Sequence, residues 1–242
     1  MKDLPKYIEN TFLKHGKDSE FKDWVYASSA HQFRGLCIAP EYKQSMYLFH
    51  ADAQYFRSAR DVPNPQSKLV TVVDFPVGNS PLYNKLHEVN QLMLLNWQEV
   101  DIVLGTSVTK LKHDRDIADY VACLESIRSV NRTFKYIIEI EKLSEWERGR
   151  MLTALQKGGV EWVKSSTGTV PGTFEDKLAF LKQAKRTHPE LKVKISGGIQ
   201  TLDQVVQLID NGVDSIGTSN GLAILSQQEK QLFLGDGYED HY

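Results

Sequence analysis

Short apolar stretches alternate with stretches of helical period along nearly the whole of this 242-residue chain. Tyr7–Asn10, Gly35–Ala39, Leu69–Phe75, Val100–Leu104, Phe134–Ile140, Glu161–Ser165, Val193–Ile195 and Ser215–Gly217 read as strands. Between them, helical patterns run from about Trp24 to His31, to about Arg60, and over 82–96, 114–130, 144–157, 173–187, 201–210 and 222–233. Ser144 with Glu147 has the spacing of a capping box, Glu175 and Asp176 suit a first helical turn, and Gly212 suits a helix end. Strands that are apolar throughout and always separated by a helix predict parallel pairing. Eight of them predict a closed (β/α)8 barrel, an α/β fold, as one domain spanning 1–242 with a short N-terminal helical region. An open doubly wound sheet is the alternative, but no Gly-x-Gly-x-x-Gly follows an early strand. Pro63 and Pro65 mark a short loop, after which the alternation resumes, so no boundary is drawn there.

Composition limits the function classes. The chain is 41% hydrophobic and 25% charged, with a formal net charge of −2 and no long basic run, which speaks against nucleic acid or an acidic membrane surface as partner. Neither a signal peptide nor a membrane-spanning run is apparent. Cys37 and Cys123 show no paired spacing, as expected of a reduced cytoplasmic protein.

Functional groups of such a barrel gather where strands end. Lys164 closes the stretch Glu-Trp-Val-Lys, and Lys194 stands at the matching place in Leu-Lys-Val-Lys-Ile. Two lysines facing each other across a site would each disfavour the other's charge, the condition under which a lysine becomes an amine nucleophile toward a carbonyl. Asp74, Asp101 and Glu139 are the other ionisable residues within or ending strands, whereas Glu161 and Lys192 fall at strand starts, on the opposite and exposed rim. Thr167-Gly168, Ser196-Gly197-Gly198 and Gly217-Thr218-Ser219 follow strands and could cradle a phosphate with backbone N–H groups. None of the histidines has metal-ligand spacing, so neither a metal nor another cofactor is expected. Cys37 reads as a core thiol without a base beside it, and there is no Gly-x-Ser-x-Gly elbow.

These stretches carry a resemblance. In order, Ile8-Glu9-Asn10-Thr11-Phe12-Leu13-Lys14, Leu36-Cys37-Ile38-Ala39-Pro40, Val70 to Gly78, Glu99-Val100-Asp101-Ile102-Val103, Tyr136-Ile137-Ile138-Glu139, Val163 to Gly168, Val193 to Ile199 and Ile216-Gly217-Thr218-Ser219 resemble the 2-deoxyribose-5-phosphate aldolases nearly end to end. The resemblance implies a class I aldolase that cleaves 2-deoxy-D-ribose 5-phosphate reversibly to D-glyceraldehyde 3-phosphate and acetaldehyde. It implies a Schiff base on Lys164, with Lys194 keeping Lys164 neutral and Asp101 working with Lys194 in proton transfer. Thr167, Gly168, Ser196, Gly197, Gly198, Gly217 and Ser219 would hold the substrate, and Glu9, Thr11, Cys37, Asp74 and Glu139 would support the site. Its partners would be a small phosphosugar and acetaldehyde, with a homodimer as one open assembly. The rival readings are another lysine-dependent aldolase with a different aldehyde pair and a catalytically silent phosphosugar-binding barrel.

Departures from the resemblance fall near the expected site. Glu9 extends the usual aspartate by a methylene, and Asp74 adds a negative charge expected near the mouth. Thr169 replaces a bulkier or basic residue, Gln200 stands where arginine is common, and Asn220 where serine or glycine is usual. Losing a cation there would weaken phosphate binding by roughly 1–2 kcal/mol. The tail, 235–242, with its glycines and acids, is expected to be mobile, and the resemblance implies that its terminal Tyr242 reaches the site and relays a proton to the enamine carbon.

Overall fold

The computed structural model describes residues 3–42, 67–94 and 97–235. Eight strands close into a barrel in sequence order, every neighbouring pair parallel, β1 returning to β8. The strands are β1 (Ile8–Phe12), β2 (Gly35–Ile38), β3 (Lys68–Val73), β4 (Glu99–Val103), β5 (Thr133–Ile137), β6 (Trp162–Lys164), β7 (Lys192–Ser196) and β8 (Ser215–Thr218). The helices among the described residues are α1 (Asp18–Ser29), α2 (Leu82–Met93), the short α3 (Thr106–Thr109), α4 (Asp114–Glu125), α5 (Glu145–Lys157), α6 (Phe174–Thr187), α7 (Leu202–Asp210) and α8 (Gly221–Gly235). The (β/α)8 expectation therefore holds. The helical pattern expected up to Arg60 lies outside the described residues.

Each strand is buried on both faces, but the two faces differ in chemistry. Outward residues such as Val100, Ile102, Phe134, Tyr136, Val163, Val193 and Ile195 pack under the helices and form the main core. Inward residues are largely polar. Period two puts Glu9, Glu99, Asp101, Lys135, Lys164, Lys194 and Ser215 inside the barrel, each at most 3% exposed.

Helix starts follow their caps. Ser144 and Glu147 form the capping box at α5, Thr173 accepts from Asp176 N at α6, and Thr201 with Gln204 forms a second box at α7. Gly212 follows α7 with φ of 82°. Gly235, expected to open the tail, instead closes α8. Two strands stop two or more residues earlier than expected: β3 ends at Val73 and β5 at Ile137, where Asp74 and Glu139 both take left-handed conformations with φ of 53°. The Asp74 carboxylate holds its own following loop, and that of Glu139 holds the loop after β6. Asp74 accepts from Ser80 N at 2.8 Å and Ser80 Oγ at 2.9 Å, and Glu139 accepts from Thr167 N at 3.0 Å. Glu161 and Lys192 pair at 2.6 Å on the opposite rim, exposed as expected. Cys37 and Cys123 are free thiols. Among the described residues no helix is long and apolar enough to cross a membrane.

Candidate active site

β6 and β7 pair with Lys164 opposite Lys194, so the two lysines enter the barrel side by side. Lys164 Nζ donates to Asp101 Oδ2 at 2.9 Å, and Lys194 Nζ donates to the same oxygen at 2.7 Å and also to Glu9. Ser215 Oγ donates to Glu9 at 2.7 Å, fixing the second carboxylate. Gly217 makes room for this arrangement, since a Cβ there would come within 3.0 Å of Lys194 Cε.

A cavity of about 670 Å³ opens at the carboxyl ends of the strands. Lys164 lines it, together with the expected Thr11, Thr167, Gly168 and Ser196. Gly197, Gly198, Gly217 and Ser219 complete the expected set at its wall. Gly168 and Gly197 have φ of 88°, and their loops meet backbone to backbone: a Cβ on Gly197 would lie 3.1 Å from Gly168 Cα. Ser196 Oγ donates to Ser166 O at 2.6 Å and ties these loops together. Thr169, Gln200 and Asn220 also line the cavity.

Asp101, Lys194 and Glu9 lie beneath Lys164 rather than among the lining residues. Burial alone pushes the Asp101 carboxyl upward, but the ammonium groups of Lys164, Lys194 and Lys135 more than reverse it and hold it well below the usual carboxylate range. The same balance of burial against Lys135, Lys194 and Arg34 lowers Glu9. For Lys194, burial disfavours the charge, yet Asp101 and Glu9 outweigh burial and raise its pKa. The expectation that the second lysine lowers the pKa therefore does not describe the net effect at Lys194, which is upward. Two carboxylates reach it, and a neighbouring ammonium cannot outweigh them at hydrogen-bond distance.

Asp74 is the second correction. Its carboxylate is not at the cavity mouth but turned into its own loop, beside Ser80 and 3.2 Å from the fully buried Lys85. Lys85 also donates to Gly78 O and Val103 O, which explains how an acid is tolerated there. Glu139 stands behind the wall, accepting from Thr167 Oγ1 at 2.6 Å. Burial and the nearby Glu141 raise its carboxyl despite the two bonds from Thr167. Cys37 sits among Val70, Val72, Leu13 and Phe75, its thiol pushed up to about 11 by burial. Tyr242 lies outside the described residues.

Three partners were not anticipated, the buried Lys135 and Glu99 and the partly buried Arg34. Lys135 Nζ donates to Glu9 at 3.3 Å and to Asp101 Oδ1 at 3.3 Å, and also meets Glu99. Arg34 reaches Glu9 and makes a forked pair with Glu99 at 2.9 and 3.0 Å. The signal was present in the period. In Thr-Phe-Lys-Tyr-Ile, Phe134 and Tyr136 point out, so Lys135 must point in, and Glu99 is two residues from Asp101. Arg34 lies outside any strand and gives no such signal.

Sequence and structure comparisons agree with this geometry. No protein-family model matches the chain. It is 32% identical over 232 residues to deoxyribose-phosphate aldolase 1 of Oceanobacillus iheyensis, covering 94% of this chain and 97% of that one. The chain belongs to the deoxyribose-phosphate aldolase family. A second aldolase of this name, from Bacillus licheniformis, is 30% identical over 93% of this chain and 96% of its own. Among solved structures, the aldolase QR15 superposes with a TM-score of 0.79 at 26% identity, covering 97% of this chain and 99% of that one. The tetrameric deoxyribose phosphate aldolase from Aeropyrum pernix shares the fold, with a TM-score of 0.78 at 22% identity over 94% of this chain and 92% of its own.

Proposed function

We propose that this chain cleaves 2-deoxy-D-ribose 5-phosphate reversibly to D-glyceraldehyde 3-phosphate and acetaldehyde through an imine on Lys164. The observation that carries the reading is the position of Lys164: it lines the cavity, and a single carboxylate, Asp101, contacts it from behind. Lys135 and Lys194 each touch two or more carboxylates and lie deeper. Of the three buried lysines in this network, Lys164 is tied to the fewest carboxylates.

In the cleavage direction the Lys164 amine adds to the sugar's aldehyde carbon, and loss of water leaves a protonated imine. That cation draws electrons from the C–C bond one carbon removed from it, between the methylene and the hydroxyl-bearing carbon. The hydroxyl on the far carbon gives up its proton, the bond breaks, and glyceraldehyde 3-phosphate departs from an enamine. Protonation of the enamine carbon and hydrolysis release acetaldehyde. Asp101, hydrogen-bonded to both lysines, is placed to pass protons between them. Tyr242 remains proposed as an aid to enamine protonation. The amide-rich loops with Gly197, Gly198 and Ser219 would take the phosphate. The expected setting remains the cytoplasm.

A coupled assay that reads glyceraldehyde 3-phosphate release from 2-deoxyribose 5-phosphate tests the proposal. Turnover lost in Lys164→Met supports it; a wild-type chain that forms an imine but releases another aldehyde pair would point to a different lysine-dependent aldolase.

A further inference from the structure

We propose that Lys14 reads the phosphate end of the substrate and that Glu20 holds Lys14 until a phosphate displaces it. The inference rests on the phosphosugar reading above and adds the residue pair that sets specificity.

Among the described residues, the charged side chains lining the cavity are Lys14, Glu20 and Lys164. Lys164 belongs to the imine chemistry. The remaining acid and base form an ion pair with each other at the mouth, 49% and 62% exposed. Thr169 and Gln200, which line the same wall, are neutral.

Register places Lys14 beside the anion loops. β1 pairs with β8 so that Asn10 lies opposite Thr218. Beyond Thr218 the chain turns into Ser219 and Asn220, and beyond Asn10 it continues through Phe12 and Leu13 to Lys14. The two loops therefore leave the same rim as neighbours, and Ser219 and Asn220 face the same cavity as Lys14.

The lysine is unusually well anchored for an exposed one. Tyr42, itself buried, accepts from Gly16 N at 2.8 Å and donates to Lys14 O at 3.1 Å, pinning the loop from beneath. The Tyr42 ring stacks on Phe21, with centroids 4.3 Å apart. Lys14 Nζ lies 5.3 Å from the Phe12 ring centroid. Gly16 lies close beneath the pair: a Cβ there would come within 2.8 Å of Glu20 Oε2, at the free end of that side chain. An ordinary surface ion pair with free stems would be of little consequence. Here the backbone is fixed, and only the Glu20 side chain has to leave.

A phosphate monoester carries nearly two negative charges at neutral pH and outcompetes a single carboxylate for the ammonium. An unphosphorylated sugar cannot displace Glu20 and meets a neutral pair. Discrimination then comes from the exchange of one anion for another.

The test uses the full chain, its Lys14→Met and Glu20→Gln variants, and two readouts. Inorganic phosphate is titrated calorimetrically, and kcat/KM is measured for 2-deoxyribose 5-phosphate and for 2-deoxyribose. Lys14→Met is expected to weaken phosphate binding roughly tenfold and to lower the ratio of the two kcat/KM values by a similar factor. Glu20→Gln is expected to tighten phosphate and raise the ratio. Equal phosphate affinity in wild type and Lys14→Met, no phosphate binding by the wild type, or a parallel change for both sugars would overturn the proposal. Lys14-dependent phosphate binding by a chain that cleaves neither sugar would overturn the aldolase reading and leave this one standing.

Discussion

Lys164 and Lys194 are register partners on adjacent strands, and their amines share one oxygen, Asp101 Oδ2, at 2.9 and 2.7 Å. One carboxylate thus joins the amine that lines the cavity to the one below it. Lys194 is additionally bound to Glu9, so its charge is secured from two sides while Lys164 faces open space.

Borohydride reduction with acetaldehyde should fix an adduct on Lys164. Peptide mapping reads its position, and Lys164→Met should take up none. An adduct on Lys194 would reverse the roles.

Lys194→Met should cut turnover about a hundredfold or more, since proton transfer by a positioned group contributes at least that much. Steady-state cleavage of 2-deoxyribose 5-phosphate measures it. A near-normal rate would remove Lys194 from the mechanism.

Lys135→Met leaves three buried carboxylates short of a partner. Unfolding in urea at neutral pH should show a loss of roughly 3–5 kcal/mol. Glu9 and Asp101 are held below their ordinary values, so they stabilise the fold above about pH 4 and lose that contribution as pH falls through their folded values. With Lys135 gone that depression shrinks, and acid unfolding followed by circular dichroism should begin at higher pH. An unchanged acid transition would mean the network does not depend on Lys135.

Asp74→Ala should cost about 1–3 kcal/mol by urea denaturation, because Ser80 N loses its acceptor and the buried Lys85 loses its carboxylate partner. The ratio of activities toward phosphorylated and unphosphorylated sugar should stay put, since Asp74 faces its own loop. A changed ratio would return Asp74 to the cavity mouth.

Exhaustive chelation should leave turnover intact, because the imine serves as electron sink. Activity lost on chelation and restored by zinc would contradict the imine mechanism.

Sequence alone determined the architecture and the pair of lysines. Apolar strands of regular spacing, each followed by a stretch of helical period, can pack in few ways, and Lys164 and Lys194 hold the same place in consecutive strand motifs. The glycine loops were legible for the same local reason, as were Ser144 and Gly212 at helix ends. What only the tertiary structure decided is which charges meet. Glu9 lies 185 residues from Lys194, and Asp101 lies 63 from Lys164. Closing the barrel brings them to hydrogen-bond distance inside a medium where water cannot screen them. That proximity raises the pKa of Lys194, where burial and a second lysine taken alone would lower it. It also brings in Lys135 and Arg34, whose partners come from other strands. Asp74 shows the converse: its position after a strand was legible, but the left-handed turn that aims it away from the cavity depends on Ser80 and Lys85 folding back onto it. Local pattern encodes where a side chain sits along the chain. The sign and strength of its field depend on neighbours that only the closed fold supplies.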